Sequence, residues 1–329
     1  MKILFLTPSD ETLPCVRFRA RPFAARGTAR GHETLQIGLS SNVALRLPVL
    51  ATIPAADICV VHQHLLSPWE LSMIRRRCGA VVFDFDEAVW TLPEHETARR
   101  IAKTKALAQR FATQAGEADL CVAGNRGLAA KACEYSENVR MVSTGLDTSV
   151  FTFGPRSAEP DCFQVGWMGA DTNMKPFEYC MEQLHRHAGI LQFAVVSESQ
   201  YHGCGENYVF WSKWAPEQEI RQLQSMDVGL VPLESDEFSL GRCGSTILRY
   251  MACGVVPVAS AAGVNEEIVE HGRNGFLVSN PQEWSECVMR LASDRELHNS
   301  MRRAARETVT SQFDHGVVGQ QFWEALESL

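Results

Sequence analysis

Short apolar runs alternate with longer amphipathic segments along the whole chain. Runs of the first kind are typical of buried strands, and the longer segments repeat apolar residues at helical spacing. The predicted strands are 3–6, 58–61, 80–83, 120–123, 139–142, 163–167, 192–196, 228–231, 255–259 and 276–278. The predicted helices lie near 16–30, 68–78, 94–116, 125–134, 174–187, 216–225, 245–253, 264–271, 281–293 and 295–311. Buried strands separated by helices predict an α/β fold with parallel, doubly wound sheets, and this number of strands favours two sheets over one.

The length and one turn-rich stretch predict two domains. A chain of 329 residues is long enough for two domains of roughly 150 residues, each with its own core. Residues 152–160 contain glycine, serine and two prolines between two predicted strands, and we interpret them as a linker. The predicted domains are therefore 1–155 and 156–311.

Composition excludes several classes of protein. Hydrophobic residues make up 45% of the chain and charged residues 21%, which is typical of a soluble globular protein. No run approaches the roughly 18 apolar residues of a membrane span. The apolar start, 3–6, is shorter than the core of a secretion signal, so we expect a cytoplasmic protein. Eleven scattered cysteines without a C-x-x-C pair predict reduced core residues, not disulfides or a zinc site.

Charge is divided unevenly between the two predicted domains. Residues 1–150 carry 18 basic and 15 acidic side chains, whereas residues 151–329 carry 13 and 24. The arginines of the first half form either a solvated surface or a patch for an anionic acceptor or membrane surface, and both interpretations stay open. The net charge of −8 and the lack of a nucleic-acid-reading motif argue against nucleic acid as a partner.

A loop, a helix and a strand between residues 241 and 260 predict an anion site. Gly241 and Gly244 flank a basic residue, Arg242, and Ser245 is a suitable N-cap for the helix that follows. A glycine-rich turn before a helix places free N–H groups and the positive end of the helix dipole where a phosphate can bind. Many α/β proteins carry such a unit without a ligand, so on this pattern alone both readings remain open.

The segment that continues this unit, YMACGVVPVASAAGVNEEIVEHGRNGFLV at 250–278, resembles the donor-binding half of glycosyltransferase family 4. VGWMGADTN at 165–173, VVFDFDEAVW at 81–90 and AGNRGLAAKA at 123–132 are similar to further segments of these retaining enzymes. The resemblance implies a GT-B fold, in which two Rossmann-like doubly wound domains face each other across a cleft. It also implies that 156–311 binds the nucleotide-sugar donor, and that a terminal helix, 312–329, joins the acceptor-side domain.

The resemblance assigns roles to individual residues. The implied donor-binding residues are Gly169, Ala170, Lys175, Trp211, Trp214, Glu237, Gly241, Arg242, Cys243, Gly244, Ser245 and Thr246. The implied acceptor-side residues are Arg17, Arg19, Asp84, Asp86 and Asn125, and the implied catalytic residues are Arg242 and His64. From the sequence pattern alone, Asp84 and Asp86 are a metal site, acceptor contacts or structural hydrogen-bond acceptors, and Trp211 and Trp214 line a nucleotide base or pack in the core.

The chain departs from the family at one motif. Family 4 carries two glutamates eight positions apart, and here Gly241 and Arg249 occupy those positions. At the glycine loop, Arg242 keeps the basic charge usual in the subgroup that this chain resembles, whereas Thr246 replaces a second one. These replacements bear on which nucleotide and sugar are held and on whether turnover is retained.

We therefore expect a transferase that moves a sugar from a nucleotide-diphosphate sugar to a glycan, lipid-linked or protein acceptor in surface-polysaccharide biosynthesis, with retention. No cofactor and no metal is expected, because helix dipoles and basic residues neutralise the leaving group in GT-B enzymes. Peripheral contact with the inner face of the membrane stays open. The alternatives are a non-catalytic binding or scaffolding subunit of the same fold, or a nucleotide-sugar epimerase.

Overall fold

The chain forms two separate α/β units in a computed structural model, which describes residues 1–92, 99–154, 163–171 and 174–329. The first unit contains Met1–Gly145, Asp236–Cys243 and His315–Leu329, and the second contains Leu146–Ser235 and Gly244–Asp314. Residues 155–160 of the linker predicted from the sequence lie outside the described residues. The short segment 236–243 is thus grouped with the first unit, although its sequence lies within the second predicted domain.

The described residues contain twelve strands and thirteen α-helices. The strands are β1 (Lys2–Pro8), β2 (Glu33–Leu39), β3 (Ala56–His62), β4 (Cys78–Phe85), β5 (Leu120–Ala123), β6 (Val139–Met141), β7 (Phe163–Met168), β8 (Leu191–Ser197), β9 (Val209–Lys213), β10 (Val228–Val231), β11 (Val256–Ser260) and β12 (Phe276–Val278). The helices are α1 (Arg21–Ala29), α2 (Val43–Thr52), α3 (Pro68–Arg75), α4 (Arg99–Glu117), α5 (Arg126–Cys133), α6 (Met174–Leu184), α7 (Glu219–Gln224), α8 (Glu237–Leu240), α9 (Ser245–Cys253), α10 (Asn265–Ile268), α11 (Pro281–Ser293), α12 (Arg295–Thr308) and α13 (His315–Glu327).

Each unit is built on a parallel six-stranded sheet. In the first, the strands lie in the order β2-β1-β3-β4-β5-β6, and in the second in the order β12-β11-β10-β7-β8-β9. The strand order reverses between β1 and β3 in the first sheet and between β7 and β10 in the second. Ligands of open α/β sheets bind beyond the carboxyl ends of the strands at such a reversal. The topology therefore points to the residues that follow β1, β3, β7 and β10.

All ten predicted strands are present, and two further strands were missed. Each of the two, β2 and β9, lies at one edge of its sheet, and each presents several exposed residues. Their sequences therefore lack the continuous apolar run that marks a strand buried on both faces. Of the helices, α2 was missed, and it contains Pro48; α8 was missed because four residues carry too little periodicity to detect.

The helix α13 completes the core of the first unit. Its Trp323 is fully buried, and the indole Nε1 donates a hydrogen bond of 2.9 Å to the Phe23 carbonyl in α1. The neighbouring Phe322 ring stacks on Phe23 with 4.2 Å between centroids. Since Trp323 lies about 300 residues along the chain from Phe23, this core joins parts of the chain that are far apart in sequence.

We expect the substitution Trp323→Ala to lower the free energy of unfolding by about 3–5 kcal/mol, because it removes a large buried side chain and leaves a cavity. Urea unfolding followed by circular dichroism measures the change. Trp69→Ala is the control, since Trp69 is 60% exposed. Equal losses in the two variants would contradict the packing role of Trp323.

Candidate functional site

A buried carboxylate, Asp84, joins several segments at the carboxyl edge of the first sheet. Arg19, in a π-helical turn at Val16–Ala20, donates to Asp84 from Nε at 3.0 Å and from Nη2 at 2.6 Å. The His62 Nδ1 lies 2.6 Å from the other carboxylate oxygen. Arg19 also donates to the Val142 carbonyl at 2.7 Å. Two predicted acceptor-side residues, Arg19 and Asp84, are therefore in direct contact with each other.

The charge of Asp84 is compensated inside the protein. Burial alone would raise the pKa of this carboxyl group, but Arg19 and His62 hold it below its ordinary value. A buried ion pair loses much of its Coulombic gain to desolvation, so this contact fixes geometry more than it adds stability. The sequence left three roles open for Asp84, and the contacts observed are those of the third, a structural hydrogen-bond acceptor.

Asp86, two residues further on, also accepts hydrogen bonds from within the protein. Thr144 donates to one of its oxygens at 2.7 Å, and the Gln63 amide donates to the other. Gln63 has a φ of 62°, a left-handed conformation that is uncommon for residues other than glycine. The next carboxyl group, Glu87, is half-buried; burial and the neighbouring Asp86 raise its pKa.

Two histidines lie at the carboxyl end of β3, where the strand order reverses: His62 is the last residue of the strand and His64 follows it. Burial lowers the pKa of His64 to about 4, so its imidazole is neutral near pH 7. The Nε2 atoms of His62 and His64 are both buried without a hydrogen-bond partner among the described residues. Arg17, a further predicted acceptor-side residue, is half-buried, with its guanidinium 4.7 Å from the centre of the Phe18 ring.

The segment 236–243 packs on the turn after β4. The Trp90 indole donates a 2.6 Å hydrogen bond to Glu237. A Cβ atom on Gly241 would lie 2.4 Å from the Cβ of Ala88, so only glycine fits this close approach. Asn125 caps α5 through its side-chain oxygen and donates to the Arg242 carbonyl at 3.0 Å. The predicted residues Asn125, Glu237, Gly241 and Arg242 thus lie together with the buried Cys243 in the first unit.

In the second unit, α9 begins at Ser245 with Gly244 as its N-cap. Ser245 was predicted as the N-cap, and this is wrong: Gly244 occupies that position with a φ of 71°. A left-handed conformation strongly favours glycine, which explains why the cap falls there. Gly244 has no side chain to cap the helix, so the first N–H groups of α9 stay available to a ligand. Gly244, Ser245 and Thr246 are all half-buried.

The remaining predicted donor residues lie near the carboxyl ends of β7, β8 and β10. Gly169 follows β7, and its N–H donates to the Val196 carbonyl at 3.1 Å; Ala170 is exposed. Lys175, in α6, reaches within 4.0 Å of Glu234, which follows β10. These residues therefore flank the reversal between β7 and β10.

Both predicted tryptophans contact Ser197, the last residue of β8. The indole of Trp211 donates to the Ser197 hydroxyl at 3.2 Å, and the backbone N–H of Trp214 donates to the Ser197 carbonyl at 3.1 Å. Trp211 lies inside β9, and Trp214 follows that strand. Sequence reasoning missed Asp171, which accepts a 2.6 Å hydrogen bond from the hydroxyl of Ser199, two residues after Ser197.

Within the described ranges, no group of three His, Cys, Asp or Glu side chains has an arrangement that could hold a metal ion. Across the same residues, each helix is too short or too polar to cross a bilayer.

Comparison with known proteins adds independent information. Residues 159–294 match the family model described as Glycosyl transferases group 1. Sucrose-phosphate synthase from Thermosynechococcus elongatus superposes with a TM-score of 0.78 at 14% identity, over 100% of this chain and 98% of that one. HepE from Anabaena in complex with UDP-glucose gives 0.74 at 19% identity over 100% of both chains. The chain has the GT-B fold.

Two curated relatives match parts of the GT-B chain. GDP-Man:Man(3)GlcNAc(2)-PP-Dol alpha-1,2-mannosyltransferase of Dictyostelium discoideum is 31% identical over 126 residues, which are 38% of this chain and 24% of the relative. N-acetyl-alpha-D-glucosaminyl L-malate synthase of Bacillus anthracis is 30% identical over 109 residues, which are 32% and 27%. The matched regions span about a quarter of each relative's length. Together with the family model, they show that part of the chain is similar to glycosyltransferases.

We expect Asp84→Asn to lower the free energy of unfolding at pH 7 by about 3–5 kcal/mol, because Arg19 would keep a buried charge without its partner. The folded-state pKa of Asp84 is lowered, so its stabilising effect is present above its unfolded value near 4 and is lost as the pH falls. The difference between wild type and variant should therefore shrink toward pH 3 in urea unfolding. The exposed Glu134→Gln is the control, and a difference independent of pH would contradict the assignment.

Proposed function

We propose that the protein transfers a sugar from a nucleotide-diphosphate sugar to an acceptor, with retention of configuration, in glycan or surface-polysaccharide biosynthesis. The observation that carries the proposal is the glycine-capped N-terminus of α9, which lies inside the region matched by the glycosyltransferase model. Such a helix end presents N–H groups and a positive partial charge to a diphosphate. The proposed acceptor is a glycan, a lipid-linked sugar or a protein.

The donor diphosphate is proposed to contact the first turn of α9 and the turn at Gly169. Lys175 and Arg242 supply positive charge; Arg242 stands two residues before Gly244 in the chain. As the bond to the sugar breaks, negative charge develops on the departing phosphate, and fixed dipoles and cations placed there lower the barrier. Trp211 and Trp214 are proposed to lie against the nucleotide base. No metal is needed in this scheme, and no protein nucleophile is assigned.

The acceptor is proposed to bind the first unit, at the carboxyl ends of β3, β4 and β5. His64 is neutral near pH 7, so it can offer a hydrogen bond to a sugar hydroxyl without adding charge. Asn125 and Arg17 are the further proposed contacts. Arg19, Asp84 and Asp86 are proposed to act by holding this edge in shape, because their polar groups are engaged within the protein.

A non-catalytic relative is the second candidate function. It is favoured by one observation: Arg249, at a position where the resembled family carries a glutamate, is buried in an ion pair with Glu219. Incubation of the protein with a panel of nucleotide sugars, with and without acceptor extract, followed by mass spectrometry, distinguishes the candidates. A transferase consumes donor only with acceptor, an epimerase converts it alone, and a binding subunit does neither.

We expect Arg242→Ala to weaken the binding of a nucleoside diphosphate by about 1.5–3 kcal/mol, the scale of a charge-assisted hydrogen bond. Isothermal titration calorimetry with UDP and GDP measures the change. Arg273→Ala is the matched control, because this exposed arginine pairs with Glu270 on the surface. Unchanged affinity in Arg242→Ala would remove Arg242 from the donor site.

We expect donor turnover to persist in excess EDTA, because helix N–H groups and cationic side chains are proposed to neutralise the leaving diphosphate. The assay compares initial rates before chelation, after chelation and after Mg²⁺ is added back. Activity that is lost with EDTA and returns with Mg²⁺ would overturn the metal-free scheme and reopen the carboxylates Asp84, Asp86 and Glu87 as ligands.

A further inference from the structure

Arg249 is a buried cation in the middle of α9. Only 9% of its side chain is exposed, and its guanidinium pairs with Glu219, the first residue of α7, whose side chain is 1% exposed. A guanidinium is always charged and carries five N–H donors in a fixed plane, so it can hold several partners in one geometry. Each partner of Arg249 therefore shows what this residue holds in place.

One set of contacts lies on the first turn of α9 itself. The Arg249 Nε donates to the Ser245 carbonyl at 3.2 Å, and Nη2 donates to the Thr246 hydroxyl at 2.9 Å. Both partners belong to the helix end that is proposed to face the diphosphate. The side chain thus folds back along its own helix and fixes the conformation of that end.

A second set of contacts reaches the end of β7. The Arg249 Nη1 lies 3.5 Å from the Met168 sulfur, and the hydroxyl of the next residue, Tyr250, accepts a 2.7 Å hydrogen bond from the Met168 N–H. Tyr250 is itself fully buried. Met168 immediately precedes Gly169, so two consecutive residues of α9 hold the strand end from which the Gly169 turn begins.

We propose that Arg249 is a positioning residue for the donor: it fixes the distance between the Gly169 turn and the N-terminus of α9. The inference rests on the proposed function, because these are the two backbone surfaces assigned there to the diphosphate. Glu219 holds the guanidinium from α7 and neutralises it, so Arg249 acts through geometry and not as an extra phosphate ligand. A carboxylate at position 249 would lack the donors for these contacts and would face Glu219.

The role of Arg249 depends on its planar guanidinium group, whose several N–H donors point in fixed directions. A lysine keeps the charge but has one ammonium group, which cannot reach the Ser245 carbonyl, the Thr246 hydroxyl and Glu219 together. A methionine keeps an unbranched side chain and loses the charge as well. If Arg249 acts by positioning its partners and not through its charge, Arg249→Lys and Arg249→Met should weaken nucleotide binding to a similar degree.

The experiment measures the dissociation constants of UDP and GDP by calorimetry on the full chain. The variants are Arg249→Lys, Arg249→Met and Glu219→Gln, with Arg302→Met as the matched control. Arg302 is another buried arginine of the second unit, and it donates to the Gly254 and Gly154 carbonyls at the other end of α9. Thermal unfolding of each variant fixes a titration temperature at which all of them are folded.

We expect Arg249→Lys and Arg249→Met each to raise the dissociation constant of the tighter-binding nucleotide at least tenfold, and Glu219→Gln to raise it about threefold. Arg302→Met should lower the melting temperature and leave this constant within twofold. Binding in Arg249→Lys equal to wild type, or an equal loss in Arg302→Met, would overturn the positioning role alone. If Arg249→Met does not fold, Arg249→Lys and Glu219→Gln decide. Absence of binding in wild type would instead overturn the proposed donor site.

Discussion

The buried pairing of Asp84 with Arg19 and His62 is the interaction on which the carboxyl edge of the first sheet depends. Parallel strands end at one edge of a sheet without any covalent link between them, so the loops that follow need another means of alignment. Here a single carboxylate accepts from a residue in the π-helical turn and from one at the end of β3, while Arg19 also reaches the Val142 carbonyl. The segments that follow these strands are therefore joined by a buried ion pair in addition to their packing.

In the second unit, a different pair of residues aligns the segments at the carboxyl edge of the sheet. Its ion pair, Arg249 with Glu219, is also buried and also joins the end of a strand to a helix terminus. In both units the arginine donates to a backbone carbonyl as well as to a carboxylate. Rigid placement of this kind suits the proposed sugar transfer, since stabilisation of a departing diphosphate requires dipoles that are already in position.

Sequence reasoning found the repeated strand–helix pattern because buried parallel strands carry continuous apolar runs. It missed β2 and β9 because exposed residues interrupt the apolar run in both. It placed the glycine turn correctly but set the cap one residue late, at Ser245, since the left-handed conformation of Gly244 has no signature beyond the glycine itself. The partners of Asp84 and Arg249 were not predictable. Arg19 and Asp84 stand 65 residues apart, and Arg249 and Glu219 stand 30 apart, so no local spacing indicates either pair.

The position of α13 has a consequence for the order in which the chain is completed during synthesis. Phe322 and Trp323 fill the core of a unit whose strands all lie before residue 146. When those strands leave the ribosome, their apolar surface still lacks its last helix, and the whole second unit must be translated before that helix emerges. The second unit can therefore finish packing first, while the first waits with an incomplete core open to chaperones or to aggregation.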